Sequence, residues 1–390
     1  MFVGALFAAL GLTQGSWAAR IPDVRDQLAG VSDERWGALL LCATAGGLLS
    51  LGVTLLTVTR LGPRRLGWAG AALALAAAPF VASAHTTVVL VAGLLAQGFA
   101  GNLLANAMNA QAVEVERGYA RRIMAGLHAM YSAGQLTGGL LGTVAAGAHV
   151  SPAAQLATSS CVLAVLLLAV RTWAPRTAPV PRPAGRRPLR RRLSPQLALL
   201  AAIALLSSIN EGAAVQWSAL YTSHTLHAGA AAGAATFSCF SIAMTATRLG
   251  GDRLVQRIGR RRFLSASALV SAAGTGVALG VATPLAAFAG FALLGAGTGC
   301  MVPTVYSLAG NQPGLSAAEG VAVAALGQWP AFLLGPPLIG ALSGSAGLRT
   351  ALSVLVATAL GMALAARRIA EPVPAAAASA PAAAGAATVP

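Results

Sequence analysis

The 390-residue chain contains no lysine, and all 26 of its basic residues are arginine. Charge of either sign is scarce, at 9% of residues, where a soluble domain carries about 25%. With hydrophobic residues at 56% and a mean hydropathy of +0.72, a chain of this size cannot hide its apolar surface in its own interior. That excludes two or three soluble domains, and it excludes disorder over most of the length. Cysteine is also scarce. Cys42, Cys161, Cys239 and Cys300 fall one each in separate apolar runs without CxxC spacing, so neither a disulfide framework nor a metal site is indicated, and they read as small packing residues. Without lysine there is no Gly-x-x-x-x-Gly-Lys-Ser/Thr loop, which excludes an ATP-driven pump within this polypeptide. No hydrolytic or redox constellation appears, so no enzyme and no cofactor is expected.

What is present is a series of apolar runs long enough to cross lipid. A span needs about 20 residues at 1.5 Å each to match a hydrocarbon core of about 30 Å. Runs between charge clusters and turn signals predict twelve helices, near 2–19, 37–59, 66–83, 86–110, 122–147, 152–170, 195–216, 229–249, 263–282, 285–308, 319–342 and 348–366. The first run lacks a basic flank and is followed soon by another, so it reads as a span and not as a cleaved signal.

The net charge of +16 does not point to nucleic acid, because the arginines sit in short clusters between apolar runs. That distribution encodes topology. With the first residue inside, twenty-two arginines fall on one side, Arg248 to Arg262 among them, and only Arg20, Arg25, Arg35 and Arg349 on the other. Both termini are therefore expected in the cytoplasm. Four parts follow: a six-helix bundle over 1–173, a Pro/Arg linker over 174–194, a second six-helix bundle over 195–370, and an Ala/Pro/Ser tail over 371–390 read as disordered.

The two bundles repeat. An offset of 197 residues places Gln14-Gly15 on Glu211-Gly212, Arg60-Leu61-Gly62 on Arg257-Ile258-Gly259 and Arg64-Arg65 on Arg261-Arg262. Gly93, Gly98, Gly138 and Gly147 meet Gly290, Gly295, Gly335 and Gly344 at the same offset. Six spans is an even number, so both copies enter the membrane in the same sense. The halves are then related by an axis along the membrane normal, with a cavity between them near the midplane. The fold class is an all-α membrane protein of twelve transmembrane helices in two parallel-repeat bundles.

The turns Leu55–Arg64 (LLTVTRLGPR) and Asp252–Arg261 (DRLVQRIGRR) resemble the Gly-x-x-x-Asp-Arg-x-Gly-Arg-Arg motif of the major facilitator superfamily, which places one copy after the second helix and one after the eighth. The Arg-x-Gly core matches in both, while Thr59 and Gln256 stand where the motif has Asp. The resemblance implies a cytoplasmic gate at Arg60, Gly62, Arg64, Asp252, Arg257, Gly259 and Arg261, and a functional monomer. The segments Gly15–Pro22, Met108–Arg117, Glu211-Gly212 with Trp217, and Gly335–Gly340 resemble a bacterial inner-membrane branch similar to fucose permease, which implies a place in the bacterial inner membrane for this chain. Where fucose-type proton symporters carry acids in helices one and four, this sequence has Ala18 and Ala105. An antiporter-type Gly-x-x-x-Gly-Pro in helix five is half present, as Gly134 and Gly138 followed by Gly139.

An ionised side chain at the bilayer centre costs at least about 2.5–3.5 kcal/mol, so one that stands there needs a partner or a task. Of ten acids, Glu211 alone is predicted well inside a span, sharing a face with Ser207 and Ser218. It is the candidate proton-coupling residue; the alternative is a structural Glu bonded to a neighbouring helix. Asn102, Asn106 and Asn109 share one face of helix four, suited to hydroxyls of a sugar-like ligand or to helix–helix bridging. His128, Tyr131 and Gln135 form a similar stripe on helix five, with a hydrogen-bonded core histidine as the alternative for His128. Gln14, Trp17, Trp217, Gln328 and Trp329 complete the candidate cavity, although Trp17 and Trp217 also fit an interfacial belt.

The expected function is secondary active transport of a small polar, sugar-like solute by alternating access, coupled to protons. Drug or metabolite efflux by proton antiport is the alternative, and a non-transporting solute receptor a minor one. The expected partners are the solute, protons and the lipid bilayer, and no nucleic acid.

Overall fold

The computed structural model describes residues 1–28, 30–119, 124–174, 194–312 and 317–370. Nearly all of the linker and the tail at 371–390 lie outside the described residues, as do Arg121 and Arg122 and the side chains of Arg117, Asp252 and Trp329. Everything described is helix or short connection. The helices are α1 (Phe2–Asp26), α2 (Asp33–Val58), α3 (Arg60–Ala82), α4 (Thr87–Tyr119), α5 (Met124–Gly147), α6 (Pro152–Ala169), α7 (Pro195–Leu220), α8 (Gly229–Ile258) and α9 (Arg260–Val281). They continue with α10 (Pro284–Thr298 and Met301–Ala309), α11 (Ala317–Leu326 and Trp329–Ala346) and α12 (Leu348–Ala351 and Ser353–Arg367). Ten stretches are long and apolar enough to span a membrane. The other two, α5 and the interrupted α11, bring the arrangement into line with twelve. Their glycines and polar residues dilute the hydropathy that marks a lipid-facing helix.

Local sequence explains the starts. Ser151, Ser194 and Thr283 accept the amide protons of Ala154, Leu197 and Ala286, and each is followed by a proline in the first turn. That pairing satisfies an orphan donor and uses the residue that has none. Several ends differ from the predicted ones. Helix α1 runs to Asp26 through Pro22, because its last turns, with Arg20, Ile21 and Val24, are buried. Helix α2 starts at Asp33, capped by Ser32, while α4 runs on past 110 to Tyr119. Helix α7 likewise continues past 216, through buried Trp217 and Leu220 into a π turn over Tyr221–Thr225.

The repeat is visible in the backbone. Gly62 and Gly259, 197 residues apart, have φ/ψ of 75°/159° and 83°/152°. At both turns the chain reverses through a conformation that side chains with a Cβ rarely adopt. Packing repeats as well. A Cβ on Gly98 would stand 1.8 Å from the Ala43 carbonyl oxygen, and one on Gly295 would stand 2.2 Å from that of Phe240. Ala43 and Phe240 are themselves repeat partners.

The apolar cores show how the halves meet. One cluster, around Phe2, Leu6, Leu104 and Leu167, belongs wholly to the first half, and a second, around Leu200, Leu264, Met301 and Met362, wholly to the second. Both lie toward the end that carries the arginine turns. At the opposite rim a single core runs through both halves, joining Trp17, Trp36 and Leu40 to Trp217, Phe237, Phe240 and Ile339. Polar contacts cross there too. Ser343 of α11 donates to the Asp33 carboxylate, Thr143 and Ser238 hydroxyls lie 3.0 Å apart, and His224 Nε2 lies 2.9 Å from the Asp26 carboxylate. The halves are thus joined at the acid-bearing rim and keep separate cores at the arginine end.

The repeat breaks where α5 and α11 pack. In the first half α1 and α5 pack almost backbone to backbone, and a Cβ on Gly138 would stand 2.2 Å from the Leu12 carbonyl oxygen. At the equivalent Gly335 nothing lies within 4 Å. Gly138→Ala is expected to lower stability by about 1–3 kcal/mol through overpacking, and Gly335→Ala to leave it nearly unchanged, as read from thermal unfolding of the two purified variants.

Candidate functional site

Glu211 does not stand alone. Its Oε1 lies 3.4 Å from Arg248 Nη2, with side chains 30% and 26% exposed. The sequence count placed Arg248 with the arginine turn that follows α8. The structure places it one to two turns deeper, on the stretch of α8 that belongs to the span Gly229–Gly251. Its Nε donates to the Gly299 carbonyl at the break in α10 (3.0 Å), and its Nη1 to Ser132 Oγ of α5 (3.0 Å). One guanidinium therefore joins α7, α8 and α10 of the second half to α5 of the first. Arginine suits this position because its planar fork carries five donors in fixed directions. The Gly299 carbonyl is free for it because Pro303, four residues on, has no N–H to donate.

The α5 stripe lies beside this bridge. Tyr131 is within electrostatic reach of both Glu211 and Arg248, and His128 of Arg248. His128 also meets the Phe7 ring edge-on at 5.1 Å. Gln135 is buried where α5 crosses Gly15 of α1. Gln14, the repeat partner of Glu211, has its amide nitrogen over Gly101 of α4.

The asparagine stripe is on one face as predicted, but its amides bond within α4. Asn106 Nδ2 donates to Asn102 Oδ1 at 2.6 Å, and Asn109 Nδ2 to the Ala105 carbonyl at 2.8 Å. Asn102 lies against Gly47 of α2, so no described contact joins the stripe to the Arg248 bridge. Trp17 and Trp217 are packed in the shared core, 4% and 0% exposed, and neither sits as an interfacial belt residue would. Trp217 also lines a cavity of about 100 Å³ between α2, α7 and α11, together with Thr44, Ser208, Gly212, Gln216 and Pro336. This cavity adjoins the place where α11 parts from α7. Gln216 Oε1 and Trp217 Nε1 are buried there without a protein partner.

Gln328, at the break in α11, donates through Nε2 to Ser208 Oγ at 2.7 Å and accepts from the Tyr306 hydroxyl. That chain links α7, α10 and α11. Of the arginine-turn residues, Arg60, Arg257 and Arg261 are exposed, Arg64 is half-buried, and none of the four has an ion-pair partner among the described residues. Gly62 and Gly259 form the turns described above. No group of three or more His, Cys, Asp or Glu converges as a metal site among the described residues.

Sequence reasoning missed Arg248, Ser132, Ser208, Gln216 and Tyr306. Arg248 had a legible signal: it stands five residues before the next cation at Arg253 and ends an apolar stretch containing no other charge. The short polar residues had none, since Ser, Tyr and Gln occur throughout the chain.

Described residues that are all helix or short connection, with a charged bridge and a small cavity between two repeated bundles, have the form of a multi-pass membrane transporter. Residues 200–389 match the family model of the Major Facilitator Superfamily. An uncharacterised MFS-type transporter of Yersinia pestis is 28% identical over 93% of this chain and 94% of its own length. The membrane protein MosC of Rhizobium meliloti is 29% identical over 89% and 84%. The uncharacterised transporter y4wD of Sinorhizobium fredii is 30% identical over 89% and 92%. The fold is similar to the crystal structure of a point mutant of the nucleoside transporter NupG, at 11% identity with a TM-score of 0.74, covering 95% of this chain and 99% of that one. The chain belongs to the major facilitator superfamily.

Removing either member of the Glu211–Arg248 pair leaves the other charge in the membrane without its counterion. Arg248→Ala is expected to destabilise more in the presence of Glu211 than in the Glu211→Gln background. The difference in a double-mutant cycle of unfolding free energies is expected at about 1–3 kcal/mol.

Proposed function

We propose that this transporter moves a small polar solute by alternating access, driven by proton coupling at Glu211. The observation that carries the reading is the Arg248 guanidinium, which contacts Glu211 in one half and Ser132 in the other. While Glu211 is ionised, its carboxylate holds Arg248 in a neutral pair. Proton uptake removes that counterion and leaves the guanidinium to Ser132, Gly299 and whatever anionic or hydroxyl-bearing group the solute presents. The contact between α5 and α8 is then weighted differently in the two protonation states, which is the differential interaction a population shift requires. A gradient of one pH unit supplies about 1.4 kcal/mol, and 100 mV about 2.3 kcal/mol per charge moved.

With the arginine turns on the cytoplasmic side, as the positive-inside bias supports, the state described is open toward the cytoplasm and closed at the outer rim. The Asp33–Ser343, Asp26–His224 and Thr143–Ser238 contacts form the closed gate. The polar ligand is supported by Gln216, Trp217, Ser208 and Gln328, whose donors and acceptors line or adjoin the space beside α11.

In proteoliposomes, Glu211→Gln is expected to abolish accumulation driven by a pH gradient while solute exchange at equal pH persists. Unchanged dependence on the gradient would remove Glu211 from the coupling. Alternating access has its own test at the rim. Cysteines at positions 143 and 238 are expected to form a disulfide that stops transport and to release it on reduction. Full transport by the oxidised protein would show that this contact need not open.

A further inference from the structure

We infer that the arginine end of the second half holds a binding site for the phosphate headgroup of an anionic phospholipid. A cavity of about 830 Å³ lies between the turn at Gly259, the start of α9 and the end of α12, lined by Arg261, Arg262, Arg367, Ser265, Leu269 and Ile369 among others. The three guanidiniums face one space. None has an ion-pair partner among the described residues. Helix α9 adds to this, because it starts on Gly259 with no side-chain cap and its first amides are free to meet an anion. Arginine forks match phosphate oxygens in pairs.

Comparison with the first half shows why the space is there. At the 197-residue offset, Ser265 corresponds to Trp68, Ala370 to Trp173 and Arg367 to Val170. Trp68 packs its ring on Phe2 at 5.0 Å, and Val170 packs against the first-half core. The first half thus packs Trp68 and Val170 at this corner, and carries Trp173, 56% exposed, a tryptophan of the kind that marks the headgroup level. The second half substitutes a serine and an alanine and adds a cation. Ala266 and Leu269, both exposed, continue from the arginines along α9, the geometry that seats a headgroup above its acyl chains. A free phosphate would use the arginines and leave those two side chains bare.

The test is native mass spectrometry of the delipidated full chain titrated with phosphatidylglycerol, phosphatidylcholine or inorganic phosphate. Phosphatidylglycerol is expected to bind well ahead of the other two. Affinity is expected to fall about fivefold for each of R261Q, R262Q and R367Q. Ser265→Trp fills the corner with the side chain that the first half carries there. It is expected to lose the bound phosphatidylglycerol with an unfolding temperature, measured without lipid, close to that of the parent. Equal binding of the two lipids, equal binding of inorganic phosphate, or undiminished phosphatidylglycerol binding in the arginine variants or in Ser265→Trp would each overturn the proposal.

Discussion

Hydrocarbon supplies no water to a charge or to an open backbone group, and the centre of this protein is organised around that lack. Arg248 stands inside a span with its side chain 26% exposed, and its hydrogen-bond partners come from protein. It takes a carboxylate from α7, a carbonyl from the break in α10 and a hydroxyl from α5 of the other half. Each partner depends on a local irregularity or a small residue: the proline at 303, the serine at 132, and the glycine-lined crossing that lets α5 lie so close to α1. Pro303 stands four residues after Gly299 and has no N–H, so that carbonyl has no helical donor and is left to the guanidinium. The charge pair also belongs to the second half alone, since its repeat counterparts are Gln14 and Leu51. One half is the scaffold against which the other carries the charge.

The duplication therefore has two readings. Where the halves agree, as at Gly62 and Gly259 or in the approach of α4 to α2 and of α10 to α8, the shared feature is architectural and concerns how a six-helix bundle closes. Where they differ, the difference marks something a bundle does not need for its own stability. Glu211 in place of Gln14 brings a charge into the membrane. Gly335, open where Gly138 is packed, leaves space beside α11, with Gln216 and Trp217 turned into it. Ser265 and Arg367, in place of Trp68 and Val170, open a basic corner at the end of the bundle. Loss of symmetry thus marks the positions on which the proposed coupling and the proposed lipid site rest.

The distribution of cores fits the same division. A common apolar core at the acid-bearing rim welds the halves where the small residues Gly37, Gly340 and Gly139 allow close contact, and hydroxyl and carboxylate side chains complete the seal. Toward the arginine turns each half keeps its own core, so separation there exposes no shared apolar interior. Two bodies, each stable at one end and joined at the other through small residues and a few polar contacts, have the form a rocking motion requires.

Composition and periodicity were enough for much of this. The scarcity of charge, the apolar run lengths and the 197-residue offset determine a twelve-span duplicated membrane bundle, because run length against bilayer thickness is a local quantity read along the chain. Glu211 was legible for the same reason, as an acid inside a run that has no water. The tertiary structure alone decided the rest. That Arg248 turns inward to Glu211 and Ser132, that the asparagine amides of α4 bond within their own helix, and that α11 stands off α7 at Gly335 all depend on which faces of different helices meet. Hydropathy is nearly uniform around such helices, so it carries no record of those pairings. They follow from backbone approach distances, which exist only once the helices are packed.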